Sequence, residues 1–278
     1  MSASFAVDAS RCVRCGSCAE DCVSGALSFG PEGPRLDSPD DCMGCHHCVA
    51  ICPQGAVSGW GRRPGDLSPA AGLPSPEAFA ALARVRRSVR QFAPGDVPPE
   101  TLRGLVDTAW HAPTGVNAQG VFFAVVAARA AMDRVRRRVY ARLDETLSRP
   151  GRGPGPNDDT LRGLAEAWRG RQADGLFRHA PHMVLACAGP QTVCREADPF
   201  IALSYLELAA ATAGVGALWC GLGMMALSAA EDPALLADLG VPPDHQVAYA
   251  MMLGWPKRAY PRGVERGPAR AAFVTSVE

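Results

Sequence analysis

The stretch Cys12–Leu27, CVRCGSCAEDCVSGAL, returns thirty residues later as Cys42–Val57, CMGCHHCVAICPQGAV. Each copy spells C-x2-C-x2-C-x3-C and closes on glycine, alanine and an aliphatic residue, so the segment is an internal repeat. Eight of the eleven cysteines of the 278-residue chain belong to it. The opening MSASFAVDASRC has no basic stretch followed by an apolar one, and the most apolar run, 201–222, is broken by Glu207 and several glycines. These features predict a soluble, cytoplasmic protein. In a reducing compartment, eight closely spaced thiols read poorly as a disulfide framework and well as ligands.

The repeat resembles the two-[4Fe–4S] bacterial-type ferredoxins along its whole length. The resemblance implies that Cys12, Cys15 and Cys18 share a cluster with Cys52, while Cys42, Cys45 and Cys48 share one with Cys22. Such a crossover would staple a segment near the size at which an apolar core alone is marginal. One departure is Val23, since the proline that usually follows the fourth cysteine occurs only once, as Pro53. Paired zinc sites are the alternative. Zinc ribbons and fingers use two separated pairs, so this run repeated twice suits them poorly. His46 and His47 interrupt the second copy and read as surface or cluster-shielding residues, because four cysteines per cluster are already present.

Composition divides the chain. Residues 1–59 carry three basic and seven acidic side chains, against 28 of each in the whole, so a neutral protein is the sum of a −4 segment and a +4 remainder. That neutrality gives no overall footprint for nucleic acid or an anionic membrane. Residues 60–75, rich in glycine and proline, read as a solvated linker. From 76 to 278 the pattern is that of a globular α+β domain, with a mixed sheet flanked by helices. Ser75 with Pro76 reads as a helix start, followed by Phe79, Leu82 and Val85 at helical spacing. Pro99 opens a helix bearing Leu102, Leu105, Val106 and Ala109. Met132, Val135, Val139 and Leu143 mark a long helix, and 197–213 and 224–239 two more. Residues 121–127, 182–188 and 246–253 read as strands, as does the short stretch 273–277. The loop GRGPGPNDD, 151–159, separates two helices.

Four local patterns stand out in this domain. RRSVRQF, Arg86–Phe92, follows the first helix, and by itself reads as basic residues complementing a helix C-terminus. HAPTGVNAQG, 111–120, is a polar loop of the kind that carries ligand contacts. GVGALWCGLG, 214–223, has small residues that allow close backbone approach to a flat ligand. LGWPKRAYPRGVERGP, 253–268, is a basic loop. Other motifs are missing: Trp219 stands where a dinucleotide fingerprint needs its third glycine, and there is no phosphate-binding P-loop. Cys187, Cys194 and Cys220 read as buried small apolar residues. Arg134–Arg142 reads as a solvated helix face or, less simply, as a docking surface for an acidic donor.

In order and spacing, the four patterns together resemble the FMN-dependent nitroreductase family from about Phe79 onward, in its iron–sulfur branch. The resemblance implies a nitroreductase-like fold and an obligate homodimer with FMN at the subunit interface. It implies that Arg86, Arg87, Ser88, Arg262 and Arg266 supply donors to the FMN phosphate. Arg90 would lie by the pyrimidine edge of the flavin, where a cation raises the potential. Asn117 and Gln119 belong to the implied cofactor set, and the backbone of Cys220, Gly221 and Leu222 would face the flavin near N5. No side chain is an evident general acid. The implied activity is reduction of a small electron-poor acceptor (nitro, quinone or enone) with electrons passed through the clusters from a ferredoxin or another redox protein; NAD(P)H reducing the flavin directly is the alternative donor. A module relaying electrons between protein partners is the rival, and a dehydrogenase running the flavin oxidatively is a third reading.

Overall fold

The computed structural model describes residues 5–277. The chain forms two compact units. One runs to Pro74 and includes Val116–Ala118; the other holds Ser75–Gly115 and continues from Gln119.

In the first unit, β1 (Phe5–Val7) pairs antiparallel with β4 (Val57–Gly59), and β2 (Leu27–Gly30) with β3 (Gly33–Leu36). Two single-turn helices, α1 (Ser17–Glu20) and α2 (His47–Ala50), start within the two cysteine runs. The core is small: Leu27, Val49 and Val57 with Cys18 and Cys48. So few apolar side chains leave a unit of this size dependent on whatever the cysteines bind.

The second unit is built on one four-stranded sheet. Its order is β5 (Val121–Val126), β6 (His182–Ala188), β8 (Gln246–Gly254), β7 (Gly216–Trp219), and every neighbouring pair is antiparallel. β6 is buried at every residue because both faces are covered. Met183, Leu185 and Cys187 point into one core with α5 (Arg129–Leu147), α6 (Asp158–Arg171) and α8 (Gly221–Ala230). Val184 and Ala186 point into the other, with α4 (Pro99–Trp110) and α7 (Asp198–Thr212). A strand covered on both sides loses the alternation of a half-exposed one, hence the unbroken apolar run.

Several helices follow their sequence signals. α3 (Pro76–Val85) starts where the Ser75 side chain accepts from the Ala78 amide with Pro76 behind it. Its apolar residues are not buried, however, and Phe79 and Val85 are exposed. The helix expected over 224–239 is two: α8 and α9 (Pro233–Asp238), separated where Glu231 turns left-handed and Asp232 caps the Leu235 amide. β7 was not anticipated within the small-residue segment. Residues 273–277 form no strand and lie exposed, since no sheet edge is paired with them. Among the described residues no helix is long and apolar enough to cross a membrane.

Candidate functional site

The eight repeat cysteines are sorted by the fold into two groups. Cys12, Cys15, Cys18 and Cys52 line a cavity of about 330 Å³. Cys22, Cys42, Cys45 and Cys48 line another of about 370 Å³, which Cys18 also touches. Each group therefore takes its fourth cysteine from the other repeat, and β1–β4 pairing together with the two short helices brings the copies into register. The donor chemistry suits a cationic core. Burial, and then the neighbouring Cys45 sulfur, push the Cys48 thiol up to about 11, and Cys18 is raised by burial with contributions from Cys52 and Cys15. Thiolates packed this closely need positive charge among them. Amide donors are already aimed at sulfur: Ala56 N to Cys52 Sγ at 3.2 Å and Gly44 N to Cys42 Sγ at 3.4 Å. His47 is exposed and its Nδ1 sits 3.3 Å from Asp21, whereas His46 lines the second cavity.

The RRSVRQF segment leaves α3 and runs extended along the sheet of the second unit. Ser88 bridges Ala217 of β7 in parallel, with Val89 N donating to Ala217 O at 2.9 Å, and Phe92 bridges Pro256. Gly216 is what lets it dock, because an added Cβ would fall 2.7 Å from the Val89 side chain. That glycine serves strand docking, and it also lines the cavity reached by Arg86 and Arg87. The cations of the segment go to two different places. Arg86 and Arg87 line a cavity of about 760 Å³ with Glu207 and Tyr260. Arg90 lines a larger one, about 1110 Å³, with Arg171, Arg178, His179 and Lys257.

The larger cavity has one acidic residue in its wall, Asp174, and that carboxylate is already committed. It accepts from Arg136 Nε at 2.6 Å, Tyr140 Oη at 3.1 Å, and the amides of Phe177 and His179 at 2.9 and 2.8 Å. The network also carries Arg136 Nη2 to the Ala180 carbonyl. Arg136 is thus buried structure, an exception to the solvated face expected over Arg134–Arg142, where Arg134 and Arg137 are exposed. Arg138 is likewise taken, by Asp232 and Asp238. Asp174 shapes the turn that presents Arg178 and His179, both left-handed with φ of 57° and 54°. Non-glycine residues hold such backbone at a cost met by surrounding contacts, and they gather at functional sites. What remains unneutralised in the cavity wall is strongly cationic.

The other expected cofactor residues are dispersed. Cys220 is buried; its thiol donates to the Leu176 carbonyl at 3.1 Å, and burial pushes it up to about 11. Gly221 opens α8, where an added Cβ would sit 3.2 Å from Tyr249 Oη, and Leu222 packs partly buried against the core. The HAPTGVNAQG loop is pinned by the Asp198 carboxylate, which accepts from Gly115 N at 3.2 Å. Val116, Asn117 and Gln119 are all left-handed there. Asn117 groups with the first unit and donates from Nδ2 to Met43 O at 3.1 Å, and Gln119 N donates to Thr114 Oγ1. Arg262 and Arg266 lie in the exposed, irregular C-terminal segment. Cys187 is buried, but Cys194 is exposed, against the expectation of three core thiols: it sits in the turn before α7, not in a strand. Sequence reasoning missed Glu207, Arg171, Arg178 and His179, which carry no local motif.

Comparison with known proteins bears on both units. Residues 83–255 match the model described as "Nitroreductase family", and residues 11–56 match "4Fe-4S dicluster domain". A nitroreductase from Bacteroides fragilis, solved with bound FMN, superposes with a TM-score of 0.55 at 22% identity, covering 71% of this chain and 97% of that one. At that identity the likeness speaks to the fold alone. A 4-nitrobenzoate reductase of Nocardioides is 34% identical over 124 residues, 42% of this chain and 48% of the relative. The chain therefore matches about half the length of that relative. A ferredoxin-like protein from the nif region of Rhizobium leguminosarum bv. trifolii is 40% identical over 55 residues, 18% of this chain and 84% of its own length.

Proposed function

The chain belongs to the nitroreductase family, and from that premise we propose that it is an FMN-dependent oxidoreductase that takes electrons through two [4Fe–4S] clusters and reduces a small electron-poor acceptor of the nitro, quinone or enone type. The observation that carries this reading is the gathering of the eight cysteines around two cavities, each of which takes a cysteine from the opposite repeat. Cys12, Cys15, Cys18 and Cys52 would hold one cluster and Cys22, Cys42, Cys45 and Cys48 the other. When bound, the clusters supply single electrons and FMN supplies hydride equivalents.

The residues of the second unit have separate tasks. Arg86 and Arg87 offer guanidinium donors to a phosphate dianion from one cavity, and Arg90 offers a cation from the other. Asp174 orients the Arg178–His179 turn. His179 Nε2 accepts from the Asp174 amide at 3.3 Å, so that nitrogen is occupied and is not a proton source. The excess of cations over free carboxylates in the larger cavity favours an acceptor that carries a negative group. A nitroaromatic carboxylate, of the kind named for the Nocardioides relative, is the natural test substrate. Assembly as a homodimer belongs to the same proposal, because the expected FMN residues do not converge on one cavity within a single chain.

The test is anaerobic purification with iron, zinc and flavin quantitation, then an acceptor screen with dithionite or reduced ferredoxin as donor. About eight irons and one FMN per chain, with catalytic turnover of an acceptor, are expected. Zinc in place of iron, or no flavin released on denaturation, overturns the proposal. Flavin that is reduced but never catalytically reoxidised makes the protein an electron relay.

A further inference from the structure

Each cysteine run places two residues in left-handed backbone between its first and third cysteines. In the first copy these are Arg14 and Gly16, with φ of 56° and 81°; in the second they are Gly44 and His46, both at 59°. The two copies thus impose the same twist at equivalent positions. Glycine meets it without steric conflict, while a histidine does not. The second repeat keeps a disfavoured side chain at a place where its sister copy has none.

That side chain has an unmet need. His46 lines the cavity shared by Cys22, Cys42, Cys45 and Cys48. Its Nε2 is shut off from solvent and has no hydrogen-bond partner among the described residues. Trp60 lines the same cavity and meets the imidazole edge-on at a centroid separation of 6.4 Å, holding the ring in place. Buried polar atoms in folded proteins are satisfied, and an orphan facing a thiol-lined space marks a partner that the protein atoms do not provide. The neighbouring His47 is turned instead toward Asp21.

We infer that His46, with its proton on Nε2, donates a hydrogen bond to a sulfur of the cluster held by Cys22, Cys42, Cys45 and Cys48, and thereby raises the reduction potential of that cluster. The inference rests on the iron–sulfur reading above. Reduction adds negative charge to a cluster, so a donor to its sulfurs stabilises the reduced form more than the oxidised one. The first repeat, with Gly16 at the equivalent position, has no such side chain.

The experiment is a redox titration of the full-length holoprotein, followed by electron paramagnetic resonance, for wild type, His46→Gly and His46→Gln. Glycine copies the first repeat and relieves the twist, so the variant folds. In H46G one of the two cluster waves should move to lower potential. The reduced-to-oxidised ratio at fixed potential should change about tenfold, or about 59 mV for a one-electron couple. The other wave stays, and iron content is unchanged. Glutamine restores an N–H donor and should recover much of the shift. Two unmoved waves in H46G overturn the inference, as does equal movement of both. Loss of about half the iron in H46G makes His46 a ligand and overturns it too. A wild-type protein without iron overturns the underlying reading, and this inference with it.

Discussion

Arg86 Nη1 donates to Glu207 Oε1 at 2.7 Å, tying the first arginine of the segment after α3 to a carboxylate of α7 that is 8% exposed. Both residues line the cavity assigned to the cofactor phosphate, so the carboxylate and an incoming anion compete for one guanidinium. Glu207→Gln keeps the shape and an acceptor while removing the charge, and it should tighten FMN binding several-fold. Arg86→Ala leaves a carboxylate buried without its partner, and should cost about 2–3 kcal/mol of stability as well as weaken FMN. Flavin fluorescence titration and denaturant unfolding measure the two effects. Weaker binding in E207Q would remove Arg86 from the phosphate site.

The crossed cysteine groups make an assignment that simple nearest-neighbour pairing does not. Cys52→Ala should empty the site of Cys12, Cys15 and Cys18, which lie in the other repeat, and Cys22→Ala the site of Cys42, Cys45 and Cys48. Each variant should retain about half the iron, and the two should lose different electron paramagnetic resonance signals. If C52A instead removes the signal that C45A removes, the sites are not crossed.

What was legible in the sequence depended on how local its cause is. The cysteine runs carry their geometry within eleven residues, and β6 announces itself because both of its faces are covered. Ser75 and Pro76 mark α3 through a cap made within three residues. The break between α8 and α9 had the same kind of signal in Asp232 and Pro233, but apolar periodicity running through it concealed the cap. Residues 273–277 have strand-forming side chains, yet a strand needs an edge to pair with, and among the described residues they pair with none. The Arg86–Glu207 pair spans 121 residues and the Arg136–Asp174 pair 38. No pattern within a segment reports that a carboxylate will arrive from elsewhere, so Arg136 looked like solvated surface.

His182 gives the fold an acid-side weakness. It is fully buried at the start of β6, where Nε2 accepts from the Val97 amide at 2.8 Å and Nδ1 faces the Val126 carbonyl at 3.3 Å. An accepting Nε2 carries no proton, so the nearby Asp96 carboxylate, 3.9 Å away, meets a neutral ring. Burial lowers the pKa of the imidazole below its ordinary 6.5. The unfolded chain therefore takes up the proton first as pH falls. The contribution of His182 is fully present above about pH 6.5 and is lost as pH drops through its lower native value. Thermal unfolding between pH 5 and 8 should show a decline on the acid side that is much smaller in His182→Gln.

The three cysteines outside the repeat differ in reach. Cys194 is exposed, while burial pushes Cys187 up to about 12 and Cys220 up to about 11. A raised thiol is protonated and unreactive near neutrality. Iodoacetamide on the native holoprotein at pH 8 should label Cys194 alone among these three, as read by peptide mass spectrometry. The protonation of Cys187 and Cys220 also links to alkaline stability. The unfolded thiols ionise near 9 and the native ones later, so this stabilisation is present below pH 9 and lost as pH rises toward 11–12.

Arg178 should decide which acceptors the larger cavity prefers. Its backbone is left-handed, at φ 57°, a conformation asparagine tolerates better than alanine, so Arg178→Asn removes the charge with least disturbance to the Asp174-bound turn. A carboxylated nitroaromatic loses a charge-assisted partner in this variant, and a neutral nitroaromatic or quinone of similar size does not. The KM for the anionic acceptor should rise about tenfold, equivalent to about 1.4 kcal/mol of lost binding, with kcat nearly unchanged. The neutral acceptor should shift less than twofold. Raising salt should narrow the difference in wild type, because part of the attraction is screened, and have little effect in the variant. Equal losses for both acceptors would mean that Arg178 supports the turn and does not read substrate charge.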